Sequence, residues 1–275
     1  MPEVEIRQTR LQFKGTGFQA LGWVLLSFVL GILVVPAGWG AAALYRWGVR
    51  SLSFNDDTKA SFVGRGREVW WQFALLAVVG YLPHLSRFLD DELERTLVSI
   101  GLSFCLLPLS TELWLRVIRW VAAKLRLSFG PGLQFEGEYF PFLGWMVLFT
   151  LSSMVLIPIP WVMVAILRWI CRNIKFGGNT ILFTGSGGAL FWRGLVAALP
   201  TAAIALVVGI AVGASGGDSP GTAFLVILYA IAFLPLPWML VWVTRWLMRC
   251  VVINRPGEAE PDNIEKTVAD SDSTV

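Results

Sequence analysis

Two stretches of thirteen residues, PWVMVAILRWICR from Pro160 to Arg172 and PWMLVWVTRWLMR from Pro237 to Arg249, share one pattern. Each has a tryptophan after the proline, then two arginines four residues apart, with a second tryptophan beside the first arginine. On a helix this spacing puts both guanidinium groups on one face and the indole at its border. A guanidinium is a permanent cation whose fork of N–H donors matches phosphate and carboxylate, and an indole prefers the boundary between hydrocarbon and headgroup. The chemistry is that of a helix surfacing among lipid phosphates. A third copy runs from Pro36 to Arg50 with a two-residue gap before Trp39, and a worn fourth copy begins at Pro108 with Arg119, Trp120 and Lys124. The residues expected to meet an anionic lipid headgroup or another anionic ligand are therefore Arg46, Arg50, Arg168, Arg172, Arg245 and Arg249. Trp39, Trp47, Trp161, Trp169, Trp238 and Trp246 are the expected interfacial anchors.

A second candidate is Glu112 in LSTELWLR, an acid near the inner end of an apolar helix. Ionisable groups at membrane depth often serve proton or cation relays, so Glu112 with Arg116 is a possible relay pair. The plainer expectation is an i,i+4 ion pair near the interface. Asp90 to Glu94 would sit at the start of the next helix, where carboxylates favour the positive end of the dipole. The glycine pairs Gly64/Gly66 and Gly185/Gly187 lack the Lys-Ser/Thr of a phosphate-binding loop and read as turn glycines. Cys105, Cys171 and Cys250 stand alone as small hydrophobes, and the single His84 has no neighbour at ligand spacing. No metal or cofactor site is expected, nor a nucleic-acid partner, and with one histidine most hydrolase arrangements are excluded.

The elements that must position these residues follow from composition. The 275 residues are 56% hydrophobic and 15% charged, against roughly 25% charged for a soluble domain. Mean hydropathy is +0.66. Apolar runs near 18–35, 69–86, 97–115, 142–167, 194–213 and 222–243 approach or cross a core about 30 Å thick. These imply a polytopic, all-α membrane protein, and the first run does not read as a cleaved signal peptide because others succeed it.

The chain also repeats itself. LQFKGTGFQALGW from Leu11 matches LQFEGEYFPFLGW from Leu133, 122 residues on, and the match continues through Pro36/Pro158, Arg46/Arg168 and Arg50/Arg172. After Phe54/Phe176 the offset falls to 121, through Phe62/Phe183 and Trp71/Trp192. The deletion falls where NDDT faces GGN, between short β-like runs, which suggests a β-hairpin of SLSF with KASF and of IKF with TILF. The expected fold is two tandem pseudo-symmetric halves, each a Pro-broken re-entrant helix, a small β-hairpin and two transmembrane helices. The boundaries are a leader at 1–10, a first repeat at 11–129, a second repeat at 130–253 and a disordered acidic tail at 254–275. SFGPGLQ is the turn between halves, and proline is expected to bend or stop each apolar run.

Charge selects among topologies. If all four Arg-Trp motifs face the cytoplasm, only Arg87 and Arg95 of the 22 Lys+Arg lie outside. Six plain spans would instead put nine outside, against the positive-inside bias. The halves are then parallel copies about an axis along the membrane normal, with the C-terminal tail cytoplasmic.

On QFKGTG and QFEGEY before the first helix of each repeat, the Pro-Trp or Pro-x-x-Trp break with basic residues after it, and SFVGRG with LFTGSG, the chain resembles the YjgN-like family of bacterial inner-membrane proteins of unknown function. The resemblance covers about residues 11–253 and implies the bacterial cytoplasmic (inner) membrane; it brings no catalytic or binding residues. The functional expectation is a non-enzymatic membrane protein with a structural or interaction role. Its partners would be membrane lipids and a possible membrane-protein partner or homo-oligomer. The alternative is a transporter or channel for a small solute, ion or lipid with a site between the repeats.

Overall fold

The structure is a computed structural model that describes residues 7–54, 59–128, 132–214 and 236–255. It is mostly helical with small antiparallel strand pairs. Four times the chain leaves a short strand, rises as an apolar helix, returns as a helix ending in the Arg-Trp motif, and closes with a strand paired to the one it left. The first unit is β1 (Arg7–Phe13), α1 (Gly17–Ile32), α2 (Ala37–Arg50) and β2 (Leu52–Phe54). The second is β3 (Ala60–Phe62), α3 (Trp70–Tyr81), a 3-10 segment over Leu82–Phe88, α4 (Glu92–Lys124) and β4 (Leu125–Leu127). The third is β5 (Gln134–Phe135), α5 (Tyr139–Val155), α6 (Ile159–Arg172) and β6 (Ile174–Lys175). The fourth is β7 (Thr180–Phe183), α7 (Gly187–Ala214), α8 (Leu236–Arg249) and β8 (Val251–Arg255). Its connection across 215–235, the turn at 129–131, residues 55–58 and the acidic tail beyond Arg255 lie outside the described residues.

Local sequence explains the breaks. Thr16 caps α1 through a reciprocal box with Gln19, and Asp91 caps α4 by accepting from the amides of Leu93 and Glu94 at 2.7 and 3.0 Å. In the first and third units the turn before the proline carries a left-handed residue two positions earlier, Val34 (φ 61°) and Leu156 (φ 64°). A non-glycine residue there is strained, so the stop is built by the turn and the proline together. At Pro108 the expected stop does not occur: α4 runs unbroken through it for 33 residues. Proline removes one ladder bond there, while Leu107, Thr111, Leu113 and Leu115 around it are buried and hold the helix on its neighbours.

The expected β-hairpins are corrected. SLSF does not pair with KASF, nor IKF with TILF, among the described residues. Instead β2 pairs with β1, β3 with β4, β5 with β6 and β7 with β8, all antiparallel. Each ladder closes its own helical hairpin, which brings the two chain ends together more firmly than a short turn between units does. Only a Phe176–Asn179 bridge spans the second expected hairpin, around Gly177 and Gly178 at φ 49° and 82°, the left-handed region that suits glycine.

Strand β1 also pairs with β8, from Arg7 opposite Arg255 to Arg10 opposite Val252, so the first and last units share a four-stranded sheet in the order β2-β1-β8-β7. Beneath the helices the strands' inward residues meet in one apolar core that includes Leu11, Leu133, Phe176, Ile181 and Ile253. Burying each such side chain contributes about 1.5–3 kcal/mol. Returning helices pack on the next unit's outgoing helix: α2 on α3, α4 on α5, α6 on α7, and α8 on α1. The helices away from the sheet remain open, with Phe28, Ile32, Leu93, Leu97, Val155, Leu206 and Ile210 among their exposed apolar side chains. Among the described residues two helices, α4 and α7, are long and apolar enough to cross a membrane by length and composition.

Candidate functional site

The site grows from a phenylalanine and a glycine two residues later. In every unit the outgoing strand ends on Phe13, Phe62, Phe135 or Phe183, and the chain passes Gly15, Gly64, Gly137 or Gly185 before the helix begins. The residue between them donates its amide to a carbonyl at the end of the returning helix: Lys14 to Ser51 at 2.8 Å, Val63 to Lys124 at 3.1 Å, Glu136 to Asn173 at 2.9 Å, and Thr184 to Cys250 at 2.8 Å. That bond brings the unit's own motif tryptophan edge-on to the phenylalanine. The ring centroids are 5.6 Å apart for Phe13–Trp47, 5.2 Å for Phe62–Trp120, 5.7 Å for Phe135–Trp169 and 6.4 Å for Phe183–Trp246. Edge-to-face pairs of this kind contribute roughly 0.5–1.5 kcal/mol beyond burial. The glycine is pressed against both rings, and an added Cβ at Gly64 would lie 2.5 Å from Trp120.

The arginine beside each of these tryptophans does not point only outward. Arg46 donates from Nη2 to the Gly64 carbonyl at 3.1 Å, Arg119 to Gly137 at 3.0 Å, Arg168 to Gly185 at 2.7 Å, and Arg245 to Gly15 at 2.9 Å. Each bond runs from one unit to the next, and the fourth returns to the first, so the four close a ring. A hydrogen bond from a charged donor is worth about 1.5–3 kcal/mol.

A second contact repeats three times. Trp39, Trp161 and Trp238, one turn into each returning helix, lie over Gly66, Gly187 and Gly17 of the next unit. An added Cβ at Gly66 would meet Trp39 Cα at 2.5 Å, so only glycine fits. At the junction from the second unit to the third the tryptophan is replaced by Glu112 and the glycine by Tyr139. There Tyr139 donates to the Pro108 carbonyl at 3.1 Å, and Glu112 accepts from Arg116 at 2.7 Å. The guanidinium of Arg116 also lies over Trp71, 5.9 Å from the ring centroid.

The residues singled out by the motif spacing thus divide. Arg46, Arg168 and Arg245 come together in the ring, and Trp47, Trp169 and Trp246 support it. Trp39, Trp161 and Trp238 stand one level further along the helices and are 45%, 47% and 39% exposed. Arg50, Arg172 and Arg249 end their helices exposed and make no hydrogen bond or ion pair among the described residues. Arg172 joins Lys175 and Asn179 along an open cleft of about 270 Å³ beside the Gly177–Gly178 turn. Glu112 and Arg116 form the plain ion pair rather than reaching a buried polar chain.

Two participants carry little signal in the sequence. Arg119 is legible only as part of a worn motif, although its spacing to Trp120 matches the others. Glu68 has no signal of its own: its carboxylate accepts from the Trp120 indole at 2.8 Å and from Lys124 at 3.1 Å. The indole N–H, chiefly, and the Lys124 ammonium hold Glu68 below the usual carboxylate range. Among the described residues no group of three or more His, Cys, Asp or Glu could hold a metal ion. Compared with known proteins, the chain matches no family model, no curated protein and no solved structure.

Proposed function

We propose that this is an integral membrane protein without enzymatic activity, whose Arg–Gly ring is a rigid platform at the cytoplasmic headgroups of a bacterial inner membrane. The observation that carries the reading is the ring itself. It puts Arg46, Arg119, Arg168 and Arg245 in one layer, with apolar, exposed helices rising from that layer. In this reading α1–α2 and α5–α6 are re-entrant hairpins. Their first helices of 16 and 17 residues extend about 24–26 Å, short of a core about 30 Å thick. Helices α4 and α7, of 33 and 28 residues, extend about 42–50 Å and cross. Both halves then enter from the same side, in keeping with the charge count, and the resemblance to the YjgN-like family rests on the residues quoted for it.

The role that follows is structural or interactive. Arg50, Arg172 and Arg249 hold anionic lipid headgroups, and the strand layer offers a basic surface to a partner. The core formed by the strands is built chiefly from apolar side chains such as Leu11, Leu133, Phe176, Ile181 and Ile253, which supports a structural role over a transport route through it. Cysteine accessibility tests the placement. Cysteines at positions 55 and 179 are expected to resist an impermeant reagent in intact cells and to react after permeabilisation. Labelling of either from outside overturns the single-sided layout.

A further inference from the structure

The open cleft of about 270 Å³ lies where the third unit passes to the fourth. Arg172, the last residue of α6, and Lys175 on β6 line it with Asn179 and Thr180, and the buried Phe176 and Ile181 form part of its apolar side. Both cations are exposed and make no hydrogen bond or ion pair among the described residues, and none of the cleft's lining residues is an acid. Two like charges in one cleft repel each other, and an anion placed between them relieves that repulsion. The first half does not repeat the arrangement. Ser53 stands where Lys175 does, and the first half has NDDT where this turn has GGN, so two carboxylates accompany the single Arg50 there.

We propose that the acidic segment of this chain that follows Arg255 docks in the cleft and sets Glu258 and Glu260 against Arg172 and Lys175. The place where that segment starts selects it. Strand β8 pairs with β7 with Asn254 opposite Thr180, and Thr180 lines the cleft. The chain therefore leaves β8 one strand spacing, about 4.8 Å, from the cleft's edge. Glu258 and Glu260 follow Arg255 closely enough to reach up to about 10 and 17 Å from it. The stretch PGEAEPDNIE from Pro256 holds Glu258, Glu260, Asp262 and Glu265 and no base, so its charge complements the cleft. A tethered anion meets a nearby site at an effective concentration of millimolar order, an advantage that a separate acidic partner lacks. Docking occupies Arg172, so an anionic headgroup has to displace the segment to reach it. That consequence rests on the headgroup reading above, whereas the docking does not.

A zero-length cross-link reads the contact in the purified full chain in detergent. A carbodiimide adds to a carboxylate, the Lys175 amine attacks the activated carbonyl to form an amide, and the reagent leaves as a urea, so only groups in contact are joined. Mass spectrometry of the monomer is expected to find Lys175 joined to Glu258 or Glu260. Arg172→Gln leaves Lys175 within reach but removes half of the cationic pair. That variant, or salt raised from about 0.05 to 0.5 M, is expected to cut the product by roughly threefold or more. No such product in the wild type overturns the docking, as does a product that resists both changes and so reports tethering alone. The full-length variant E258Q/E260Q/D262N/E265Q leaves every residue of the described fold in place. It is expected to raise labelling of Lys175 by an amine-reactive reagent, and unchanged labelling also overturns the docking. The same variant is expected to copurify with more anionic lipid. A cross-linked wild type whose neutralised variant gains no lipid overturns the headgroup reading at Arg172 and leaves the docking standing.

Discussion

The junction from the second unit to the third and the other three junctions are built on one plan and solve its last step differently. In three junctions a tryptophan lies on a glycine of the next unit, a fit that tolerates no side chain at the glycine. At the fourth, bulk has changed sides: Tyr139 stands where the glycine would be and Glu112 where the tryptophan would be. The same unit has Glu68 gripping Trp120 and Lys124, with Gln19, Pro141 and Ala189 at the matching positions elsewhere. The Arg–Gly bond is present at all four junctions. The ring therefore needs its arginine and its carbonyl everywhere, while the packing above it can be met by apolar bulk or by a tyrosine and an ion pair.

The largest effect should come from crowding a tryptophan-on-glycine junction. Gly66→Ala places a Cβ against the Trp39 backbone and is expected to cost about 1–3 kcal/mol or more, seen as a lower melting temperature in detergent. Gly144→Ala, where a Cβ meets nothing, should be neutral or stabilising by up to about 1 kcal/mol. Equal effects at the two sites would break the account of the junction.

Next in size is the ring bond. Arg168→Ala removes the donor to Gly185 and is expected to cost about 1.5–3 kcal/mol. Arg172→Ala, one turn on and unbonded, should leave the melting temperature nearly unchanged. Triple replacement of Arg50, Arg172 and Arg249 by Gln should instead weaken retention of anionic lipid through purification, measured by lipid analysis of the extracted protein.

The exchange at the odd junction can be tested directly. Glu112→Trp alone should crowd Tyr139, and Tyr139→Gly alone should leave a gap. The double variant is expected to recover part of both losses, a coupling of about 0.5–3 kcal/mol in a double-mutant cycle. Strict additivity would mean that the two positions do not substitute for the tryptophan and glycine of the other junctions.

The smallest effect is electrostatic. Glu68 titrates below its unfolded value near about 4.3, so its stabilisation is present above that pH and is lost as pH falls through the lowered folded value. Because the pair with Lys124 is partly exposed, the contribution should be under about 1 kcal/mol. Glu68→Gln should lower the neutral plateau by that amount and leave stability at low pH nearly unchanged, so that the acid side of a melting-temperature series against pH becomes flatter.

Much of the helical plan is legible in the residues. The prolines at 36 and 158 end apolar runs where expected, and Arg46 and Arg168 share a layer with Arg245 as the motif spacing implies. The strand pairing is not legible. Segments such as Leu52–Phe54 and Ala60–Phe62 are three residues long, and their ladder bonds are made by backbone groups that every sequence carries. Register therefore leaves almost no trace, and neighbours in sequence need not be neighbours in the sheet. Gly64 and Gly185 read as turn residues because their use as acceptors is a property of a carbonyl, not of a side chain.

By itself the sequence determined the apolar helices, their breaks in the first and third units and the arginine-tryptophan spacing, because these depend on side-chain chemistry and helical period within one stretch of chain. Only the tertiary structure decided that β1 joins β8, that four arginines close a ring on four glycine carbonyls, and that Glu112 stands in a tryptophan's place. Those contacts join residues as much as 230 positions apart through backbone acceptors and shared volume, which no local pattern of residues encodes.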